Sequence, residues 1–434
     1  MTILLEVSIA MFAGLMMTRL LKKLKLNLPD VTAYLLAGLI VGPYCLGRLH
    51  VDGVGFSSYE TVEALNLVTN AALGFIAFAI GNEFRLSQLR KTGRAATIIG
   101  VFQALVAALL VDAALIAVHY AMPDKLSLPA AITLGAIATA TAPAATLMVV
   151  RQYKAKGELT DVLLPVVALD DAVGLAVFAV SFGIARAIKG GDVDAISIVV
   201  NPLVEIVVSL GLGAVLGYIL TQIEKAFHSN SNRLSLIITF VLLTVGLSML
   251  KFRIGPVTVQ FSNLLVCMML GTVFCNLCPL SHELMERSDK WTAPLFMLFF
   301  VLSGAELELS VFQDAAVIGV GLVFILVRSI GKYIGAYGSA KFAGCSPSVQ
   351  KYLGITLLPQ AGVALGMCMT ASALGDQDGS MIRNIVLFAV LVYELFGPML
   401  TKWALTKAGD IQPRSEDANR IRREEKFKAA PPKG

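Results

Sequence analysis

Along the chain, apolar positions gather into runs of about 20 residues, a length that lets a helix rising about 1.5 Å per residue cross a bilayer. Thirteen such runs can be drawn, beginning near Ile3, Val31, Leu65, Ala95, Leu128, Val162, Ser197, Ser235, Ile254, Trp291, Ala315, Ser348 and Met381. The pattern predicts an all-α polytopic membrane protein with about 13 transmembrane helices and no second folded domain. The first run, "ILLEVSIAMFAGLMMTRLL", holds Glu6 near its start and lacks a basic leader, so it reads as a retained helix and not a cleaved signal peptide. Residues 1–407 are therefore expected to form the transmembrane unit. Residues 408–434, polar and mixed in charge with prolines at both ends, are expected to be a disordered tail or to lie along the headgroups.

Composition agrees: 56% of residues are hydrophobic, 15% are charged and the mean hydropathy is +0.76. The net charge of +5 calls for no nucleic-acid partner, because loop topology accounts for it. Leaving out the tail and the intramembrane Arg328 and Lys332, the loops after odd-numbered helices carry more than twice the lysine and arginine of the others. By the positive-inside rule these loops are cytoplasmic, which puts the N-terminus outside a cell membrane and the C-terminus inside.

Within the sixth run, "LLPVVALDDAVGLAVFAV", Asp170 and Asp171 stand side by side in apolar sequence. Each charged residue at such a depth costs roughly 2.5 to 3.5 kcal/mol on insertion scales, which marks the pair as a functional candidate. Adjacent residues on a helix point about 100° apart, so only one acid can face a cavity squarely.

A second signal comes from two strings, "GNEFRL" at 81–86 and "GAELEL" at 304–309, which close the third and tenth helices. Each is followed by a long apolar helix and then by one holding a proline among small and polar residues, "TLGAIATATAPAATLMVV" at 133–150 and "GITLLPQAGVALGMCMT" at 354–370. An odd number of helices separates the copies, so they enter the membrane in opposite directions. Inverted repeats with a proline-interrupted helix in each half point to a secondary transporter with a midplane site. Pro143 and Pro359 remove backbone donors, and Thr139, Thr141, Thr146 and Gln360 are placed to satisfy the carbonyls left open.

These segments, together with "LPDVTAYLLAGLIVGP" at 28–43, "FIAFAIGNEF" at 75–84, "LPVVALDDAVGL" at 163–174, "FVLSGAELEL" at 300–309 and "LPQAGVALGM" at 358–367, resemble the monovalent cation:proton antiporter 2 family of the sodium/proton exchanger superfamily. The likeness is greatest to electrogenic bacterial Na⁺/H⁺ antiporters with paired aspartates. It implies two inverted six-helix repeats with crossing interrupted helices. It also implies a mobile core, here about 63–189 and 291–407, and dimerisation helices at about 1–50 and 195–278, hence a homodimer. By the same resemblance Asp171 is the main ion- and proton-carrying residue, Asp170 its neighbour able to pair with Lys332, and Thr141, with Thr139 beside it, a source of polar ligands. Na⁺ would be held at Asp171 and Asp170.

A carboxylate pair holds either protons or a hard cation, and competition for one site couples the fluxes. With Lys332 released from Asp170 when Na⁺ binds, each cycle would exchange two protons for one Na⁺, making transport electrogenic and serving sodium and pH homeostasis. No cofactor is expected beyond the transported Na⁺, or Li⁺ or K⁺, and H⁺. A K⁺/H⁺ antiporter of the same family is the alternative, although K⁺ efflux relatives differ at the residue before the second acid and carry a nucleotide-binding domain. A passive cation channel is a further one. Arg328 could equally be the partner of a carboxylate such as Glu83 or Glu394, Glu394 is divided between that role and one near the ion path, and Glu306 and Glu83 are expected to guide cations or mark the membrane boundary. Asp112 and Glu6 are expected at polar interfaces. The cysteines of "CNLC" at 275–278 read as packing, and no nucleophile, base and metal constellation suggests an enzyme.

Overall fold

The apolar runs become helices whose ends are set by capping and proline. The computed structural model describes residues 2–411 apart from 25, 27, 50–54, 83, 190–200, 255–256, 308–314 and 372–373. The first half holds α1 (Thr2–Lys23), α2 (Asp30–Val41), the short α3 (Tyr59–Glu63), α4 (Asn66–Asn82), α5 (Leu86–Ala121), α6 (Leu128–Ile137), α7 (Pro143–Gln152) and α8 (Glu158–Ile188). Next come α9 (Asn201–Glu224), α10 (Asn230–Ser248), strands β1 (Lys251–Ile254) and β2 (Val257–Gln260), and α11 (Asn263–Leu277). The chain closes with α12 (Ser281–Ala305), α13 (Ala315–Phe342), α14 (Pro347–Thr356), α15 (Gly362–Ala371) and α16 (Asp376–Ala408). Among the described residues, eight helices are long and apolar enough to cross a membrane, so the protein is a multi-pass membrane protein. The tail beyond Ile411 and the position of Glu83 lie outside the described residues.

Two boundaries differ from the sequence reading. The ninth run, drawn from Ile254, opens instead as an antiparallel hairpin in which Lys251 faces Gln260 and Ile254 faces Val257, and its helix starts only at Asn263. Val257, Thr258 and Val259 favour a pleated strand, and Pro256 is unsuited to a helix interior. In the tenth, α12 begins at Ser281, ahead of the apolar run from Trp291. Its polar first turns are supported by the i,i+4 pairs Glu283–Arg287 (2.9 Å) and Glu286–Lys290 (3.0 Å).

Two of the expected spans are broken in the middle. Helix α6 starts under the Ser127 hydroxyl, which accepts from the Ala130 amide (3.2 Å), and ends at Ile137. Helix α7 resumes at Pro143, where a missing N–H costs nothing because the first turn has no partner for it. In the same way α14 starts at Pro347 and stops at Thr356, and α15 resumes at Gly362. Residues 138–142 and 357–361 are the unwound joints.

The longest shared face is that of α5 with α13, and α8 packs on α5 and α6. Gly331 and Gly335 allow the first of these: a Cβ on either would stand 2.8 Å from a Cα of α5, that of Ala107 or Gln103. Elsewhere α11 packs on α4 and α9, α12 on α2 and α4, and α1 on α2 and α12. Helix α8 is tied to α16 at both ends. Asp410, just past α16, accepts from the Thr160 amide and hydroxyl (2.7 Å each), supplying the cap that Gly157 cannot. At the opposite end Lys189 is ion-paired with Asp378.

Candidate ion-binding site

The joints of the two broken helices meet at the middle of α8 and α13. The Ala142 amide donates to the Pro359 carbonyl (2.8 Å), so one joint is bonded directly to the other. The polar side chains of these segments close the opened carbonyls: Thr139 Oγ1 donates to Ala136 (2.7 Å), Thr141 Oγ1 to Leu357 (3.2 Å), Thr146 Oγ1 to Thr356 (3.5 Å) and Gln360 Nε2 to Ile137 (2.9 Å).

Lys332 and Arg328, one turn apart on α13, serve this crossing from one side. Both are fully buried. Lys332 Nζ donates to Asp170 Oδ2 (2.7 Å), the Thr139 carbonyl (2.6 Å) and Thr141 Oγ1 (3.0 Å), which uses all three of its N–H bonds. Arg328 does not pair with Glu394, and Glu83 lies outside the described residues. Its guanidinium donates to the carbonyls of Ala138 (2.9 Å), Ala140 (2.6 Å) and Leu358 (2.9 Å), bridging both joints, and stacks on the Tyr393 ring at 4.4 Å. These carbonyls lie just beyond the C-terminal ends of α6 and α14, where partial negative charge collects, so a fixed cation has a reason to be there without any carboxylate.

Asp170 and Asp171 are 0% and 1% exposed, yet their surroundings differ. Asp170 is held on both oxygens, Oδ2 by Lys332 and Oδ1 by the side-chain amide of Gln103 from α5. Asp171 has no donor on either oxygen among the described residues. The paired acid is thus neutralised in place, and the other is a buried acceptor waiting for a positive partner.

The remaining candidates are dispersed. Glu394 is buried on α16 next to Tyr393 and forms no ion pair with Arg328, and Glu306 is half-buried at the end of α12. Asp112 is half-buried against Gly135 of α6, with Oδ1 enclosed and without a donor among the described residues. The two CNLC thiols turn apart, Cys275 toward the Thr272 carbonyl (3.2 Å) and Cys278 toward Glu224 (3.6 Å). Gln103 is the residue the sequence reading misses. Its signal is a single amide in the run "IIGVFQALVAALLV" at 98–111, a weaker mark than a charge.

The model of the sodium/hydrogen exchanger transmembrane family matches residues 7–407. The chain belongs to that family. Among its relatives, the Na⁺/H⁺ antiporter NhaS4 of Synechocystis sp. is 24% identical over 385 residues, 86% of this chain and 90% of the relative. The cation/H⁺ antiporter 15 of Arabidopsis thaliana is 21% identical over 376 residues, which is 86% of this chain and 45% of that longer protein. In fold, the exchanger is similar to the sodium proton antiporter MjNhaP1 from Methanocaldococcus jannaschii, with a TM-score of 0.68 at 17% identity over 95% of this chain and 99% of the other.

Proposed function

We propose that this exchanger is a secondary active antiporter that moves Na⁺ against protons across a cell membrane, with Asp171 as the residue both ions compete for. The single observation that carries the reading is a fully buried carboxylate without a donor among the described residues, set beside a lysine-paired one where two broken helices cross. Oxygen ligands suit a hard cation, and the uncoiled backbone lines a site at membrane depth instead of meeting lipid. The names of the Synechocystis and Methanocaldococcus relatives specify sodium, which favours Na⁺ over the K⁺ alternative.

In this mechanism Na⁺ displaces a proton from Asp171 and draws on Asp170, freeing Lys332 to give up a second. Two protons then move for each Na⁺ and the exchange is electrogenic. Two inverted six-helix repeats, thirteen spans in all, give the site access to each side in turn. Packing supports a moving bundle of α5–α8 and α13–α16. Helix α4 and the second half of α12 fall within the 63–189 and 291–407 limits, but these helices pack on α11 and α2, so we assign them to the static, dimer-forming group with α1, α2 and α9–α11. The N-terminus is outside and the C-terminus cytoplasmic.

Proteoliposomes enclosing a pH-sensitive dye test this. Na⁺ is expected to collapse an imposed proton gradient with the parent protein and not with Asp171→Asn, Li⁺ to act weakly and K⁺ not at all. A response to K⁺ alone favours the potassium reading, and equal behaviour of parent and variant removes Asp171 from the mechanism.

A further inference from the structure

Gln103 lies midway along α5 and is fully buried. Its placement is fixed by backbone approach, since Gly335 of α13 closes on its Cα, and by its amide. Nε2 donates to the Gly100 carbonyl (3.0 Å) and to Asp170 Oδ1. Both partners are acceptors only, so the orientation of the amide follows from chemistry and the atom left over is Oε1. That atom is enclosed and meets no donor among the described residues.

The same is true of both Asp171 oxygens and of Gln360 Oε1 at the second joint. Among the described residues, every unpaired buried side-chain atom of this crossing is therefore an oxygen acceptor. The donors present, Lys332 Nζ, Thr141 Oγ1 and the Arg328 guanidinium, are already engaged with carbonyls or Asp170. A deficit of donors for several buried oxygens on the elements that meet at this crossing is met most simply by a cation, directly or through its own water.

We propose that Gln103 is a further ligand of the transported cation, its Oε1 joining Asp171 as a neutral oxygen while its Nε2 keeps Asp170 in register. A neutral ligand suits this site. It adds coordination without adding charge, so Asp170, Asp171 and Lys332 alone set the charge balance of each step. It also reaches the site from α5, and the cation then ties α5, α8 and the joints together. Discrimination among Na⁺, Li⁺ and K⁺ depends on ligand number and cavity size, which the length of this side chain would adjust.

The inference rests on the antiport reading, and the test separates the two. Gln103→Met keeps length and volume but removes the amide. Na⁺-driven proton movement is measured in proteoliposomes over a range of Na⁺, together with the rise in Tm that Na⁺ gives the purified protein. The expected result is a KM for Na⁺ higher by about tenfold or more, a smaller change in kcat and a reduced Tm response to Na⁺, on top of a modest fall in the Na⁺-free Tm from the two lost hydrogen bonds. An unchanged KM, or a fall in the Na⁺-free Tm with KM untouched, overturns the proposal and leaves Gln103 a packing residue. If Gln103→Met does not survive purification, Gln103→Asn, which draws the amide back by one methylene, carries the same test with the same outcomes. A parent that moves no protons in response to any cation sinks the antiport reading instead.

Discussion

The two cations of α13 divide the work at the crossing by their geometry. Lys332 offers a compact charge, which the proposed mechanism has leaving Asp170, whereas Arg328 is a planar fork whose three carbonyl partners belong to two different joints. Arg328→Lys keeps the charge but cannot reach all three. Two charge-assisted hydrogen bonds are then lost, on the order of 3 kcal/mol together. The expected outcome is a Tm lower by several degrees and a transport rate reduced at every Na⁺ concentration, read by thermal unfolding and proteoliposome assay. A variant with the parent's Tm would mean that the joints hold themselves. The acids and Lys332 are legible in the sequence because a charge in an apolar run is conspicuous. The partners of Arg328 are not, because a backbone carbonyl leaves no mark on the sequence, whereas a carboxylate such as Glu394 does. Gln103 is hidden for a related reason: an uncharged amide inside a membrane helix is common enough to pass as packing.

At the level of elements, the site exists because α5 and α13 come close enough for Gln103 and Lys332 to reach the same carboxylate. Gly331 and Gly335 set that spacing, since a side chain at either meets backbone of α5, which cannot rotate away. Gly335→Leu is expected to push the helices apart at an overpacking cost of about 1–3 kcal/mol and to weaken Na⁺ binding with every ligand still present. Isothermal titration of Na⁺ into the purified variant checks this, and a parent-like affinity would show that the spacing is not what positions Asp170. The same reasoning explains which elements are readable in advance. The breaks at 138–142 and 357–361 are announced by Pro143 and Pro359 amid small residues, because those residues act through local backbone chemistry. The hairpin at Lys251–Gln260 is masked by its apolar composition, and the cap on α8 is invisible because Asp410, which supplies it, lies far along the chain.

For the molecule as a whole, alternating access requires contacts that close one side of the site and open once per cycle. The cytoplasmic end in the proposed orientation carries such contacts, all at the C-terminal end of α7. Arg151 is ion-paired with Asp289 of α12 (2.5 Å), Gln152 Oε1 accepts from the Asp30 amide at the start of α2 (2.8 Å), and the Tyr153 hydroxyl donates to the Leu28 carbonyl (3.4 Å). Each links the proposed moving bundle to the static one. Cysteines at 151 and 289, in a protein whose six native cysteines are replaced, can be joined by a short bis-methanethiosulfonate. The joined protein is expected to lose antiport and regain it on reduction, whereas the same variant left unjoined, and each single-cysteine variant treated alike, continue to transport. Because the tether sits well away from Asp171 along the length of α7, inhibition reports on relative movement of the bundles and not on damage to the site. Transport at the unjoined rate with the link in place would mean that α7 and α12 stay together through the cycle, and the moving unit would have to be redrawn to include α12.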